Sequence, residues 1–246
     1  MCSVRRRGGV GLGSISSWQG RVFRAWSDPP PFLLSLFGIC FVVTENSLPA
    51  QAILFDIGNV LLKFDYNRAA SAMAAHSTAD PARIRAALEK WTHQHETGVL
   101  SSEAFGEAVR KDIGYTAPEE LFREQFCHIF EANEPMWDFA RRCFGKVPVY
   151  LFSNISEWHE MWCFENYPDF ARFDGGFYSW RMGTMKPESA FYHEALATLP
   201  FDPDRIAYMD DMPLNVAGGK SVGFRAVQYS YADHAGFLTS VAGWLE

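Results

Sequence analysis

The chain has 246 residues, of which 48% are hydrophobic and 21% charged, and its formal net charge is −7. This composition is typical of a soluble globular protein and argues against disorder, while the length suits one large α/β domain with or without an insert. The acidic balance argues against nucleic-acid binding, because such a surface would repel the phosphate backbone.

The first fifty residues differ in composition from the rest. They hold five arginines against Asp28 and Glu45, and the apolar run at 32–43 is too short for a bilayer, which needs about 20 residues. We expect an N-terminal extension at 1–50: a disordered leader, sequence upstream of the true start codon, or a targeting leader. No membrane partner is expected.

The number and spacing of the cysteines indicate the compartment in which the protein works. The five cysteines are scattered and form no C-x-x-C pair, so neither a disulfide framework nor a zinc site is expected. The sequence favours a cytoplasmic protein, with an organelle as the alternative if residues 1–50 are a targeting leader.

From residue 51 onward, short apolar runs alternate with helical patterns. The predicted strands are 52–55, 147–152, 205–209 and 224–229. The predicted helices outside the longest interval are 135–145, 156–165, 187–198, 212–222 and 233–245. This alternation predicts an α/β fold with a Rossmann-like parallel sheet covered on both faces.

Residues 67–133 interrupt the alternation, because they show helical spacing and no strand pattern. One helix begins at Asp80, a good N-cap residue. Another is predicted to follow a Thr116/Glu119 capping box and to extend to Phe130. We call 67–133 the cap and expect it to stand over the carboxyl edge of the sheet, where ligands bind in open α/β folds.

The predicted core is therefore made of two segments, 51–66 and 134–246. Polar residues follow the ends of its strands or precede a helix: Asp56, Ser153 and Asn154, Lys186, and Asp210 and Asp211. Because the carboxyl ends of parallel strands share one edge, these residues should converge there.

The converging set suits phosphoryl transfer. A carboxylate can attack phosphorus and form an aspartyl-phosphate. Two further carboxylates would repel the first unless a hard cation lies between them, and Mg²⁺ prefers carboxylates, water and phosphate oxygens. Each residue alone has a simpler explanation as a turn cap, helix cap or solvated side chain, but their order and their positions at strand ends favour the functional interpretation.

Four segments of the sequence resemble the ordered motifs of a known enzyme superfamily. "FDIGNVL", "LFSN", "GTMKPE" and "YMDDMPLNVAGGKSVGFRAV" resemble the four ordered motifs of the haloacid dehalogenase-like (HAD-like) hydrolase superfamily, over about residues 51–230. The cap resembles that superfamily's first cap type. "FDIGNVLLKFDYNR", "HQHETGVLSSEAF", "YPDF" and "KPESAFY" resemble the bacterial α-D-glucose-1-phosphate phosphatase subgroup.

The resemblance implies a Mg²⁺ site. Asp56 would be the nucleophile and a metal ligand, and Gly58 would supply a main-chain carbonyl. Asp211, together with Asp210, would complete the protein ligands, and Asn215 would steady the loop.

The resemblance also implies a phosphate site. Ser153 and Asn154 would hold the transferring phosphoryl group, helped by main-chain amides near Gly58 and Asn59. Lys186 would pair with Asp56 and the phosphate. The expected partner is a small phosphorylated metabolite, and the oligomeric state is left open.

Gly58 departs from the superfamily pattern, in which a second aspartate acts as general acid and base. General acid catalysis is worth about 10²–10⁴-fold, so we expect a slower phosphatase with a bias toward acidic leaving groups such as the anomeric oxygen of glucose 1-phosphate. Closure of the cap could bring His93 or His95, at the end of a cap helix, over the substrate to replace the missing acid. Substrate contact by His93, His95 or Glu96 is the favoured interpretation.

Two rival functions follow from the same residues. A metal-independent haloacid dehalogenase-type hydrolase also uses an aspartate nucleophile, but the Asp210–Asp211 pair would then be a costly cluster of like charges. A non-catalytic phosphate-binding descendant is the other alternative.

Overall fold

The computed structural model describes residues 48–245, so the predictions for residues 1–47 lie outside the described residues. Residues 48–50 were assigned to the extension, yet they bond to the core. Arg225 Nη1 donates to the carbonyl of Leu48 at 2.7 Å, and Ala50 N donates to the carbonyl of Trp244 at 2.9 Å. The folded core therefore includes residue 48.

Two sheets account for the strands of residues 48–245. The strands are β1 (Ala52–Phe55), β2 (Leu62–Phe64), β3 (Phe130–Ala132), β4 (Val149–Ser153), β5 (Gly175–Tyr178), β6 (Ile206–Asp210) and β7 (Arg225–Gln228). The main sheet has the order β5-β4-β1-β6-β7, and every neighbouring pair in it is parallel. The α/β prediction with a parallel sheet is confirmed.

The helices surround this sheet and fill the cap. They are α1 (Tyr66–Ala74), α2 (Pro81–Glu96), α3 (Ser102–Ile113), α4 (Glu119–Cys127), α5 (Glu134–Cys143), α6 (Glu157–Asn166), α7 (Ser179–Met182), α8 (Ser189–Thr198), α9 (Pro213–Ser221) and α10 (His234–Ser240). Short 3₁₀ turns join several of them. Of the described helices, none is both long and apolar enough to cross a membrane.

Strand β1 is buried on both faces, which explains its continuous apolar sequence. Ile53 and Phe55 join the larger core cluster, which extends into the cap, and Leu54 joins a second cluster with residues of α8, β6 and α9. Packing on both faces thus fixes the sheet, and it also fixes the positions of the residues at its carboxyl edge.

Helices α1–α4 lie between two short antiparallel strands, β2 and β3. The sequence analysis placed no strand in 67–133, so β3 corrects that prediction. Its three residues are buried, exposed and half-buried in turn, a stretch too short to stand out in the sequence. The β2–β3 ribbon connects the cap to the core at both of the cap's ends.

One predicted helix start in the cap is confirmed and the other is wrong. Asp80 caps α2, accepting a hydrogen bond from Arg83 N at 2.9 Å. Thr116 does not cap α4, because its hydroxyl donates to the carbonyl of His76 at 3.2 Å and the helix begins after Pro118. The helix ends at Cys127, and the chain then enters β3.

Candidate active site

The carboxyl ends of three parallel strands bring predicted site residues to one edge. Asp56 follows the last residue of the central strand β1, Ser153 ends β4 on one side, and Asp210 ends β6 on the other. Asp56 N donates to the carbonyl of Met209 at 3.1 Å, which extends the sheet pairing as far as the aspartate. The topology thus positions Asp56 between the two neighbouring strand ends.

Lys186 joins two of these carboxylates. Its Nζ lies 2.9 Å from Oδ1 of Asp56 and 2.5 Å from Oδ2 of Asp210, and it donates to the carbonyl of Phe152 at 2.8 Å. An ammonium has three protons, so these contacts satisfy it. Lys186 is only 3% exposed, and its charge is balanced inside the protein.

Burial shifts the protonation of this pair. It raises the pKa of Asp56 to about 7; the charge of Lys186 opposes the shift and that of Asp210 adds to it. Burial works against the charged form of Lys186, but the carboxylates of Asp210 and Asp56 outweigh it and raise the pKa of the lysine. The ammonium therefore stays charged at neutral pH.

Asp210 is fully engaged within the protein. Its Oδ2 accepts from Tyr208 Oη at 2.5 Å as well as from Lys186, and its Oδ1 accepts from Met212 N at 2.8 Å and Asn215 Nδ2 at 3.0 Å. The Asn215 contact is the one expected of a residue that steadies this loop. With four donors, Asp210 has little capacity left for direct contact with an ion.

Asp211 is held by a hydrogen bond from Asn59. Nδ2 of Asn59 donates to Oδ2 of Asp211 at 3.0 Å, and Oδ1 of Asn59 accepts from Tyr231 Oη at 2.5 Å. Asn59 has φ 55, the left-handed region that asparagine tolerates better than most residues. Burial raises the pKa of Asp211, and the Asn59 hydrogen bond partly offsets that effect.

Asp56, Asp210 and Asp211 cluster closely enough for a metal site, with Asp56 and Asp211 as the carboxylates that could contact an ion directly. One oxygen from each lies within 4.8 Å of the others. In the hydrogen-bond network of residues 48–245, side-chain contacts engage only Oδ1 of Asp56 and only Oδ2 of Asp211, so each has a second oxygen available. An all-oxygen donor set suits a hard divalent cation.

Ser153 and Asn154 take different positions at the end of β4. Both side-chain atoms of Asn154 bond to the main chain of Lys186: Nδ2 donates to its carbonyl and Oδ1 accepts from its N–H, each at 2.8 Å. The hydroxyl of Ser153 makes a long contact of 3.4 Å to the carbonyl of Asn154. Asn154 thus holds the lysine segment in place, and the Ser153 hydroxyl remains able to turn toward a ligand.

The structure supplies a steric reason for glycine at position 58. A β-carbon there would lie 3.0 Å from Cε1 of Phe64, which is tighter than ordinary van der Waals contact. Phe64 ends β2, so the ring that crowds Gly58 comes from the start of the cap connection. A β-carbon at this position would require the Phe64 ring to shift by a few tenths of an ångström.

An inner cavity of about 60 Å³ adjoins Gly58. From the core it is lined by Ile57, Gly58, Ser153, Asn154, Ile155 and His159, and from the cap and its connection by Phe64, Tyr66, Glu96, Ile129 and Phe130. The inner cavity is much smaller than the neighbouring cleft, and its lining includes Gly58 and Ser153, which are expected to hold a phosphoryl group.

An outer cavity of about 360 Å³ shares Phe64, Tyr66 and Glu96 with the inner one. Its other lining residues are Arg85, Leu88, Glu89, Thr92, His93 and Met185. His93 therefore lines this cavity, and its contact with a substrate stays a prediction. A larger cavity of about 560 Å³ beside α6 and β5 contains none of the predicted site residues.

His95 lies inside the cap instead of at the cleft. It is 2% exposed, its Nε2 is 3.0 Å from Ser102 Oγ, and its ring stacks on Phe105 with centroids 4.0 Å apart. Burial lowers the pKa of His95 to about 3. This placement contradicts the expected substrate contact, because the imidazole faces apolar neighbours within the cap.

The comparisons with known proteins agree with this architecture. No protein-family model matches the sequence. A curated relative, drimenol cyclase drtB of Aspergillus calidoustus, is 24% identical over 189 residues. The match includes 74% of this chain and 34% of that protein, so the chain spans about a third of the length of the curated relative it matches.

Solved structures show the fold. The HAD family enzyme BT-2542 of Bacteroides thetaiotaomicron, in its magnesium complex, matches with a TM-score of 0.69 and 18% identity over 78% of this chain and 98% of that one. The chain has the HAD-like hydrolase fold. The same fold relates it to a predicted HAD-like hydrolase of Porphyromonas gingivalis (TM-score 0.67, 21% identity, 80% and 98% covered). L-2-haloacid dehalogenase of Xanthobacter autotrophicus also matches (TM-score 0.55, 16% identity, 78% and 83% covered).

Several residues of this site were not singled out from the sequence. Tyr208 stands two residues before Asp210, and the period of two along a strand would have placed both on one face. Phe64, Tyr66 and Tyr231 reach the site through tertiary packing, for which the sequence carries no periodic signal.

Proposed function

We propose that this protein is a Mg²⁺-dependent phosphomonoester hydrolase in which Asp56 accepts the phosphoryl group. The observation that carries the proposal is the convergence of Asp56, Asp211 and Lys186 at one sheet edge, with a free oxygen on each carboxylate and a charge-balanced ammonium beside the nucleophile. BT-2542 has also been crystallised with magnesium and inorganic phosphate, which supports the same ligands here.

The metal would be held by Asp56, Asp211 and the carbonyl of Gly58. Asp210 acts on this set by fixing Lys186 and the loop after β6, because its own oxygens already accept hydrogen bonds. When bound, Mg²⁺ neutralises negative charge shared by the carboxylates and the phosphoryl oxygens.

The chain's own residues supply the rest of the chemistry. Asp56 attacks phosphorus and forms an aspartyl-phosphate, which water then hydrolyses. Lys186 keeps Asp56 oriented, and the Ser153 hydroxyl with main-chain amides near Gly58 and Asn59 positions the phosphoryl oxygens. Most of the rate in phosphoryl transfer comes from such positioning and electrostatic stabilisation.

Small sugar phosphates are the proposed substrates, with glucose 1-phosphate as the best candidate. The inner cavity suits the phosphoryl group, and the outer cavity offers polar side chains for hydroxyl groups beside the rings of Phe64 and Tyr66. Arg85 is aligned there by Glu89 at 2.7 Å and stands over the Tyr66 ring. The glucose-1-phosphate phosphatase resemblance points to the same class.

A phosphate-release screen tests the proposal. Sugar phosphates, nucleotides and small phosphoesters are incubated with the wild type and with Asp56→Asn as the blank, each with Mg²⁺ or with EDTA. Release that needs both Mg²⁺ and Asp56 supports the proposal. Release that persists in EDTA contradicts the proposed metal role, and absence of turnover across the panel favours a phosphate-binding descendant.

A direct comparison tests the substrate class. The account predicts a higher kcat/KM for glucose 1-phosphate than for glucose 6-phosphate. A clear preference for glucose 6-phosphate would overturn the choice of sugar phosphate while leaving the hydrolase assignment intact.

A further inference from the structure

The proposed reaction requires a proton for the leaving oxygen, and position 58 provides no side chain to supply it. The ring of Phe64 crowds the space beside Gly58, with Cε1 3.0 Å from where a β-carbon would stand. A proton donor must therefore reach the cleft from another element. The inner cavity, which touches Gly58, Ser153 and Asn154, is the place to look for it.

Three side chains that line this cavity can carry a proton: Tyr66, Glu96 and His159. His159 has its Nε2 directed at the carbonyl of Phe126, 3.2 Å away, and stacks on the Phe126 ring. Its N–H is committed to that carbonyl. Burial raises the pKa of Tyr66 well above its usual value, whereas a group that donates and then accepts a proton works best with a pKa near the operating pH. Glu96 remains.

Glu96 is well placed to meet a leaving group. It is the last residue of α2 and lines both the inner and the outer cavity. A phosphate ester with its phosphoryl group in the inner cavity and its organic part in the outer one would place the bridging oxygen at the boundary, where Glu96 stands.

We propose that Glu96, carried by the cap, is the general acid and base of the phosphoryl transfer, in place of the side chain missing at position 58. This inference rests on the proposed phosphatase function. It makes catalysis depend on cap and core together, since the nucleophile and the proton donor lie on different parts of the chain.

The proton and electron movements balance. In the first step an oxygen of Asp56 bonds to phosphorus, the bond from phosphorus to the leaving oxygen breaks with its electron pair, and Glu96 gives its proton to that oxygen. In the second step a water oxygen bonds to phosphorus, the Asp56–phosphorus bond breaks, and the Glu96 carboxylate takes a proton from the water. One water is consumed, and an alcohol and inorganic phosphate are released.

The charge environment agrees with this role. Burial raises the pKa of Glu96 to about 7, the charge of Asp56 adds to the rise, and that of Lys186 opposes it. A carboxyl group with a pKa near neutrality can both donate and accept a proton. The other titratable groups that line the two cavities are Tyr66 on α1, Arg85, Glu89 and His93 on α2, and His159 on α6.

Leaving-group dependence tests the inference. Glu96→Gln keeps the side-chain size and removes the proton. On the alkyl phosphate that the wild type hydrolyses fastest, kcat should fall about 10²–10⁴-fold. On 4-nitrophenyl phosphate, whose phenolate leaves without a proton, the loss should be much smaller. Glu107→Gln, an exposed change on α3, should leave both rates unchanged.

A second variant, Glu96→Asp, separates loss of the acid from a folding defect caused by Glu96→Gln. Glu96→Asp keeps the acid one carbon further back and should retain more of the alkyl phosphate rate than Glu96→Gln. Equal losses on both substrates, or no loss on either, would overturn the role of Glu96. A wild type that releases phosphate from neither substrate would instead overturn the proposed function, and this inference with it.

Discussion

Nζ of Lys186 lies 2.9 Å from Oδ1 of Asp56, and both side chains are buried. The same ammonium contacts Asp210, so one cation balances two carboxylates brought together from β1 and β6. Fold stability and the proposed chemistry therefore depend on the same three side chains.

Removing the lysine charge should destabilise the protein. Lys186→Met leaves Asp56 and Asp210 buried without a cation, and breaking a buried ion pair from one side costs about 3–5 kcal/mol. Urea denaturation of wild type and variant measures the loss. The exposed Lys220→Met is the control and should change the free energy of unfolding by less than about 0.5 kcal/mol. A loss of under about 1 kcal/mol for Lys186→Met would contradict this account of the pair.

The Tyr231 hydroxyl should support metal binding through Asn59. It donates to Oδ1 of Asn59, which turns the amide nitrogen toward Asp211. Loss of such a supporting contact typically lowers metal affinity by about 10–100-fold, so Tyr231→Phe should weaken Mg²⁺ binding in calorimetric titration. Tyr115→Phe, which removes a hydroxyl bonded to Gln125 in the cap, serves as the control. Equal Mg²⁺ affinity in wild type and Tyr231→Phe would show that the contact has no such role.

Two buried histidines should make the protein acid-sensitive. Burial lowers the pKa of His95 to about 3 and that of His159 to about 4, from a usual value of 6.5. Below pH 6.5 the unfolded chain takes up protons that the folded state refuses, so stability falls as pH decreases toward those values. At pH 5 each histidine costs about 2 kcal/mol, at about 1.36 kcal/mol per pKa unit.

The measurement is the free energy of unfolding at pH 7 and at pH 5. His95→Gln should reduce the difference between the two pH values by about 2 kcal/mol. His128→Gln, an exposed change, should leave the difference as in the wild type. An unchanged difference in His95→Gln would show that His95 does not carry this pH dependence.

Restoring an acid at position 58 should fail while Phe64 is present. Gly58→Asp places a β-carbon against the Phe64 ring, so we expect no gain in kcat and a lower melting temperature. Gly58→Asp combined with Phe64→Ala should recover stability relative to the single aspartate variant, with Phe64→Ala alone as the control. A Gly58→Asp enzyme faster than the wild type would contradict the steric explanation.

Elements with a continuous apolar run or a clear helical period were predictable from the sequence, and short edge elements were not. The β1 sequence AILF is apolar throughout because both of its faces are covered. In contrast, β5 (Gly175–Tyr178) begins with two glycines, lies at the edge of the sheet and was missed. A two-sided core leaves a continuous apolar signature, whereas an edge strand need not.

The candidate site also has a part that was predictable from the sequence and a part that was not. The strand-end residues were predictable because topology alone brings them together. The His95 placement was readable in principle, since His95 stands seven residues after the buried Leu88 and shares its helix face. The crowding of Gly58 by Phe64 depends on how β2 packs against the loop after β1. The spacing of residues in the sequence does not predict that contact.

The central claim is that Asp56 carries the phosphoryl group. Enzyme mixed with Mg²⁺ and the best substrate from the screen is quenched in acid within one turnover, digested and analysed by mass spectrometry. The account predicts one phosphoryl group on the peptide that contains Asp56, lost in Asp56→Asn and in EDTA. Active enzyme that shows no phosphoryl adduct on this peptide under the same quench would contradict it.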